Sequence, residues 1–214
     1  TTVNVSATSH PISRLTLAGK YRNESYSNQT PADSVLNWAR SDRQIDATPE
    51  HTEWDPFTKV NTDVSGAFEV ARNASVSVGY AVEDFTRETG VYRVDGSREK
   101  TPRVAVDYSA LSWLSLHGSY LTGQRRYNGF YAEAATEVSD MRSYMFADRD
   151  RKRTNLMATI TPIDQVSVGL SYQNGDDQYG QHGQRFGVMS DKSTTTGVDV
   201  DWTPNSRIMV GAGY

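Results

Sequence analysis

The sequence predicts an all-β fold: an antiparallel transmembrane β-barrel, with about ten of its strands in these 214 residues. Three observations carry this prediction. Apolar and polar residues alternate in one stretch after another, the stretches come in pairs joined by a few residues, and long polar connections separate the pairs. Strict period two gives each strand one apolar and one polar face. In a membrane barrel those faces meet lipid and lumen in turn.

The pairs follow one another along the chain. The first has Val3, Val5 and Ala7, then a turn at His10-Pro11-Ile12-Ser13, then Leu15, Leu17, Gly19 and Tyr21. The second has Val64, Gly66, Phe68 and Val70, turns at Arg72-Asn73, and returns through Val76, Val78 and Tyr80. The third runs through Val104, Val106 and Tyr108, turns at Ala110-Leu111-Ser112-Trp113, and rises through Leu114, Leu116, Gly118 and Tyr120. Leu156, Ala158 and Ile160 open the fourth, which turns at Thr161-Pro162-Ile163-Asp164 and continues through Val166, Val168, Leu170 and Tyr172. The fifth has Val198, Val200 and Trp202, a turn at Thr203-Pro204-Asn205-Ser206, and Ile208, Val210, Ala212 and Tyr214. Pro, Asn, Asp and Ser fix φ or hydrogen-bond locally at such turns.

The rings fall at two levels. Tyr21, Tyr80, Tyr120, Tyr172 and Tyr214 end the rising strands, while Tyr108 and Trp202 lie near the short turns. Amphipathic rings at both ends of an apolar band form the aromatic girdles of a barrel, so these residues are the expected girdle.

Composition narrows the function. Mean hydropathy is −0.63, and no run approaches the roughly 20 apolar residues of a membrane helix. An alternating strand escapes that test, because half of its residues are polar. With 22 basic against 26 acidic residues, the chain lacks the basic face of a nucleic-acid binder. It contains no cysteine, hence no disulfide, c-type haem attachment or thiolate metal site. Phosphate-binding glycine loops, nucleophile elbows and zincin motifs are absent, which leaves enzymatic activity without positive support. Thr1 opens directly into the first strand, so a secretory signal is not expected within these residues.

Long connections are expected at about 22–60, 86–102, 121–153 and 174–195. Long loops on one rim and short turns on the other are the asymmetry of bacterial outer-membrane barrels, whose short turns are periplasmic. The stretches around Asp33, Glu137 and Gln181 are therefore expected outside a Gram-negative cell, and Pro162 and Pro204 in the periplasm. Both chain ends would lie at the long-loop rim. Residues 1–214 then read as a single segment of a larger barrel, since free strand edges are not tolerated in lipid.

Opposite the apolar stripes lie Glu69, Glu83, Asp107, His117, Asp199 and Asp201, which are expected to face the lumen because a dry core would leave their charges unpaired. Glu69 and Glu83 on adjacent strands, and Asp199 with Asp201, raise the idea of carboxylate pairs for acid–base chemistry or metal. Solvated lumen charge is the plainer reading, and His10, His51, His117 and His182 are too scattered for a metal site. The run Asp148-Arg149-Asp150-Arg151-Lys152-Arg153 could grip phosphate or carboxylate groups, but reads first as a solvated rim. Asn-x-Ser/Thr triplets at Asn23, Asn28 and Asn73 carry no meaning in a bacterial envelope.

Two stretches go beyond the generic pattern. Met141-Arg142-Ser143-Tyr144-Met145-Phe146-Ala147-Asp148-Arg149-Asp150-Arg151, with the strand, Thr161-Pro162 turn and strand to Tyr172 that follow, resembles the MtrB/PioB family of decahaem-associated outer-membrane proteins. So do Asp176-Asp177-Gln178-Tyr179, Phe186-Gly187-Val188 and the stretch from Val198 to Pro204. The resemblance is greatest from Met141 to Tyr214. It implies a large barrel that sheathes a periplasmic multihaem c-type cytochrome and carries it through the outer membrane, so that electrons pass to an extracellular cytochrome or mineral. The haem would belong to that partner, and this chain would hold no cofactor of its own. A cysteine pair near the N-terminus of some members is missing here, as a segment would predict. A diffusion porin or solute channel with an open lumen has the same wall and is the alternative. A soluble β protein, its apolar face packed on a second sheet, fits the tyrosine levels poorly.

Overall fold

The computed structural model describes residues 1–27, 34–35, 38–39, 45–46, 50–51, 56–87, 94–129, 141–142, 144, 147–180, 185–205 and 207–214. Asp33, Glu137, Gln181 and His182, and the triplet at Asn28, lie outside the described residues. Ten strands form one antiparallel sheet in chain order. They are β1 (Thr2–Ile12), β2 (Leu15–Tyr26), β3 (Phe57–Ala71), β4 (Ala74–Arg87), β5 (Gly96–Leu111), β6 (Leu114–Asn128), β7 (Arg149–Ile163), β8 (Val166–Tyr179), β9 (Ser190–Asn205) and β10 (Ile208–Gly213). Among the described residues β1 and β10 do not pair with each other, so the sheet is open. Within the long connections, 34–35 pairs with 50–51, 38–39 with 45–46, and 141–142 runs parallel to 186–187.

Register fixes the faces. Directly opposed residues in an antiparallel ladder point the same way, and each apolar series meets the next: Leu17 opposes Gly66, Gly66 opposes Val78, and Val78 opposes Val104. Farther along, Gly118 opposes Val106 and Leu156, Leu170 opposes Ala158 and Val198, and Trp202 opposes Val166 and Val210. Between the short turns and the tyrosine level one sheet face is therefore continuously apolar. It is also uncovered: Val5 is 58 % and Val78 60 % exposed, and the buried hydrophobic residues among those described are Val94 and Ala147 alone. An apolar face this broad has no aqueous resting state.

Two expectations about element ends need correction. The turn at Arg72-Asn73 falls where expected, but the other short connections are tighter and later than expected, at Ser13-Arg14, Ser112-Trp113, Asp164-Gln165 and around Arg207. Pro11, Pro162 and Pro204 sit inside strands, each within a register shift, at Ser9/Ile12, Ile160/Ile163 and Trp202/Asn205. Proline cannot donate to a ladder, and a bulge is where a strand tolerates it. The sharp reversal falls instead on residues such as Asn73, whose φ is 57, a left-handed conformation that asparagine adopts readily. The strands also outrun the sequence reading at the other rim: β6 continues to Asn128, β8 to Tyr179, and β7 starts at Arg149. Both faces are polar there, so alternation vanishes while backbone pairing continues.

Candidate functional site

The polar face is one continuous wall with three zones. Near the short turns, a single cross-strand line joins Glu69, Ser75, Asp107 and His117. Imidazole Nδ1 of His117 lies 2.7 Å from Asp107 Oδ1. Asp199 and Asp201 occupy the same face three strands away, opposed by Gly169 and Ser167. The expected lumen-facing residues thus share one face, but they do not converge. Glu69 and Glu83 form no pair: Glu69 opposes Ser75, whereas Glu83 opposes Asn61 far toward the long-loop rim. Among the described residues no group of three His, Asp or Glu could hold a metal ion.

The second zone is uncharged and climbs from beside the Ser13-Arg14 turn on β2 to the level of Tyr172 on β8. Thr16, Ala67, Ser77, Ala105, Ser119, Asn155, Gln173 and Thr195 oppose one another in an unbroken line across the sheet. Just above it Arg103 makes a bidentate pair with Asp63, at 2.6 and 2.7 Å. The two residues are on β5 and β3, so the guanidinium crosses β4. It does so over Gly79, where an added Cβ would come within 2.8 Å of Arg103 Cζ.

At the long-loop rim the wall becomes a guanidinium cluster. Arg149 donates to both oxygens of Glu99, at 2.9 and 2.7 Å. Arg151 lies 3.2 Å and Arg153 2.8 Å from Asp177, which is only 2 % exposed. Arg125 donates instead to backbone carbonyls, reaching Tyr144 O at 2.6 Å and Ala147 O at 2.8 Å. That contact fixes the returning connection against the polar face. Among the described residues Arg149 Nε is buried with no acceptor, and four guanidiniums meet two carboxylates, which leaves the described cluster net positive. Asp177 lies five residues past Tyr172 and outside the apolar band. Burial raises its carboxyl, but the Arg151 hydrogen bond and the charges of Arg151, Arg153 and Arg149 outweigh that and hold it below the ordinary carboxylate value.

By sequence the cluster falls in long connections, and Asp148 to Arg153 reads as a solvated rim. The period of two splits the run instead. Arg149, Arg151 and Arg153 line the polar face, and Arg149 is 13 % exposed in its side chain, while Asp150 and Lys152 point to the other face. Extending the parity of Asn155 and Thr159 backwards along the chain would have found the three arginines. Glu83 and Glu99, directly opposed like charges, coexist because Lys59 takes Glu83 at 3.0 Å and Arg149 takes Glu99. On the same face Tyr26, Phe57 and Phe85 stack with centroids 5.5 and 5.3 Å apart.

The aromatic residues of the other face are stepped. Tyr21 and Tyr80 oppose Thr62 and Val64 of β3, Tyr80 and Tyr120 oppose Pro102 and Val104 of β5, and Tyr120 and Tyr172 oppose Thr154 and Leu156 of β7. Tyr172 opposes Thr196, and Tyr214 exchanges backbone hydrogen bonds with Val198. Each tyrosine is thus two residues displaced from the last. Tyr108 opposes Ala74 and Leu116 at the lower level, and Trp202 opposes Val166.

Among solved structures, the chain is similar to outer-membrane expressed OmpT of Vibrio cholerae, with a TM-score of 0.55 and 15% identity, over 100% of this chain and 55% of that one. The in-vitro folded trimer form of the same Vibrio cholerae protein gives a TM-score of 0.53 and 14% identity, over 99% of this chain and 54% of that one. The chain therefore spans about half the length of these structures, and at such identity the likeness is one of fold. No curated protein matches in sequence. The family model described as "Putative outer membrane beta-barrel porin, MtrB/PioB" matches residues 1–213. With an open antiparallel sheet, one apolar and one polar face, and that match over its length, the chain belongs to the MtrB/PioB family of outer-membrane β-barrel proteins.

Proposed function

We propose that this chain is part of the wall of an outer-membrane barrel that sheathes a multihaem c-type cytochrome for electron transfer across the membrane. In this reading the apolar face meets lipid, the polar face lines the lumen, and Tyr21, Tyr80, Tyr120, Tyr172 and Tyr214 mark one interface, with Tyr108 and Trp202 marking the other. Glu69, Glu83, Asp107, His117, Asp199 and Asp201 then face the lumen. The barrel encloses and positions without catalysing, and the haem belongs to the partner.

The observation that carries the reading is the uncharged line from Thr16 to Thr195, which climbs the polar face from the short-turn rim of β2 to the tyrosine level of β8. Uncharged side chains let a folded partner come close to the wall without burying a charge, whereas the charged residues on either side of the line set register and specificity through complementary charge. An open solute channel is the second reading, favoured by the net-positive cluster at the long-loop rim. The protein carrying this chain is expected to co-purify with a haem-absorbing cytochrome. Proteoliposomes holding the pair should pass electrons from an internal dye to an external acceptor while conducting ions poorly. Colourless protein with steady ion conductance would replace the sheath with the channel.

A further inference from the structure

Above the tyrosine level the apolar face turns polar, and most of its charges are paired. Arg98 lies 2.6 Å from Asp84, Arg126 lies 2.7 Å from Asp150, and Lys192 lies 3.9 Å from Asp176. Two exposed cations on this face, Lys100 and Lys152, have no ion-pair partner among the described residues. Lys100 opposes Val82 and Gln124, and Lys152 opposes Thr122 and Asp176. Only β6 separates them, with a two-residue offset that puts their Cα atoms about 12 Å apart. Flexible four-carbon stems bring both ammonium groups within reach of a single anionic headgroup.

Beneath them, on the same strands, the face is hollowed. An apolar groove of about 430 Å³ is bounded by Val106, Leu116, Leu156, Leu170 and Tyr172 and floored by Gly118. An added Cβ at Gly118 would meet Leu156 Cδ2 at 3.4 Å, so the glycine keeps the floor low.

We propose that these two features form one seat for an anionic phospholipid, with an acyl chain over Gly118 and the phosphate between Lys100 and Lys152. The proposal rests on the reading that the apolar face meets lipid. A groove in that face supplies fit without a driving force, because lipid tails are as apolar as leucine. Preference for one lipid must come from the headgroup, and two unpaired ammonium groups at headgroup level select a net anionic headgroup over a zwitterionic one. Their neighbours Thr122 and Gln124 add hydroxyl and amide donors to the same patch.

The test is native mass spectrometry of the delipidated protein that carries this chain, titrated with phosphatidylglycerol or phosphatidylcholine. The unsubstituted protein should retain phosphatidylglycerol preferentially. The double variant Lys100→Gln/Lys152→Gln should hold it about tenfold more weakly, with phosphatidylcholine unchanged. Lys20→Gln, which removes a lysine opposite Asp63 on the polar face, should leave retention as it was. Gly118→Leu should displace the lipid by filling the groove while the lysines remain. Equal retention of the two lipids, or an equal effect of Lys20→Gln and the double variant, overturns the seat. Failure of the lipid-facing reading itself would show separately, in the lysine comparison at Val168 and Ser167 below.

Discussion

At the scale of single residues, the wall works by giving long side chains somewhere to lie. Arg103 reaches Asp63 only because Gly79, between them, presents no side chain. Gly175 makes the same allowance for Arg153, whose Nη1 would sit 2.5 Å from an added Cβ. These glycines belong to the polar face and serve its ion pairs, whereas Gly118 on the other face shapes a groove. The sequence marks all of them alike, as glycine within a strand, and parity alone separates the two roles. Parity also yields the sharpest check of the faces. Val168 opposes Ile160 and Val200 in the apolar series, while Ser167 opposes Asp201. A lysine at a lipid-facing site in mid-membrane costs about 2 to 4 kcal/mol and far less at a wet inner face. Val168→Lys is therefore expected to cut the yield of heat-modifiable, folded protein in outer-membrane fractions, and Ser167→Lys to leave it near the parent level. Equal yields would reverse or abolish the assignment of faces at β8.

At the scale of strands, what the sequence discloses depends on whether the two faces differ. Between Tyr172 and the turn at Asp164-Gln165 one face is apolar, and period two identified β8 residue by residue. From Asn174 to Tyr179 both faces are polar and the pattern falls silent, yet the ladder with β7 continues through Arg149 and Tyr179. Cross-strand ion pairs such as Arg151 with Asp177 hold these extensions, and a pairing partner on another strand is not written in local sequence. The charged rim was illegible for that reason, although each of its arginines keeps the parity of its strand. Turn chemistry misled in a second way, since Thr-Pro dipeptides read as turns and proved to be bulges one or two residues earlier. Orientation follows from connection length, and a chain without cysteine gives it a clean readout. Single cysteines replacing Asp33, Glu137 and Gln181 are expected to react with an impermeant maleimide on intact cells. Cysteines replacing Pro162 and Pro204 should react only after the outer membrane is permeabilised. Labelling of the second set alone on intact cells would invert the topology.

At the scale of the whole molecule, the stepped tyrosines convert register into tilt. Successive rings are displaced by two residues over two strands, a slope of about 6.7 Å along the chain for every 9.6 Å across it. Rings held at one headgroup level therefore require strands inclined about 35° to the membrane normal. That lies at the lower end of the range for membrane barrels, where tilt and stagger are linked by closure. The agreement is not imposed by the alternation, which any flat sheet could share. It comes from the aromatic residues having moved in step with the ladder, hairpin after hairpin. A soluble sheet packed on a second layer has no common plane to keep and no reason for a uniform step. Polarised infrared spectroscopy of the protein in oriented bilayers measures this directly through the amide I dichroism, and a mean strand tilt of roughly 35 to 45° is expected. Strands lying in the bilayer plane would mean that the sheet rests on the membrane. Strands within about 10° of the normal would mean that the tyrosines do not share an interface, and the girdle assignment would fall while the antiparallel pairing stood.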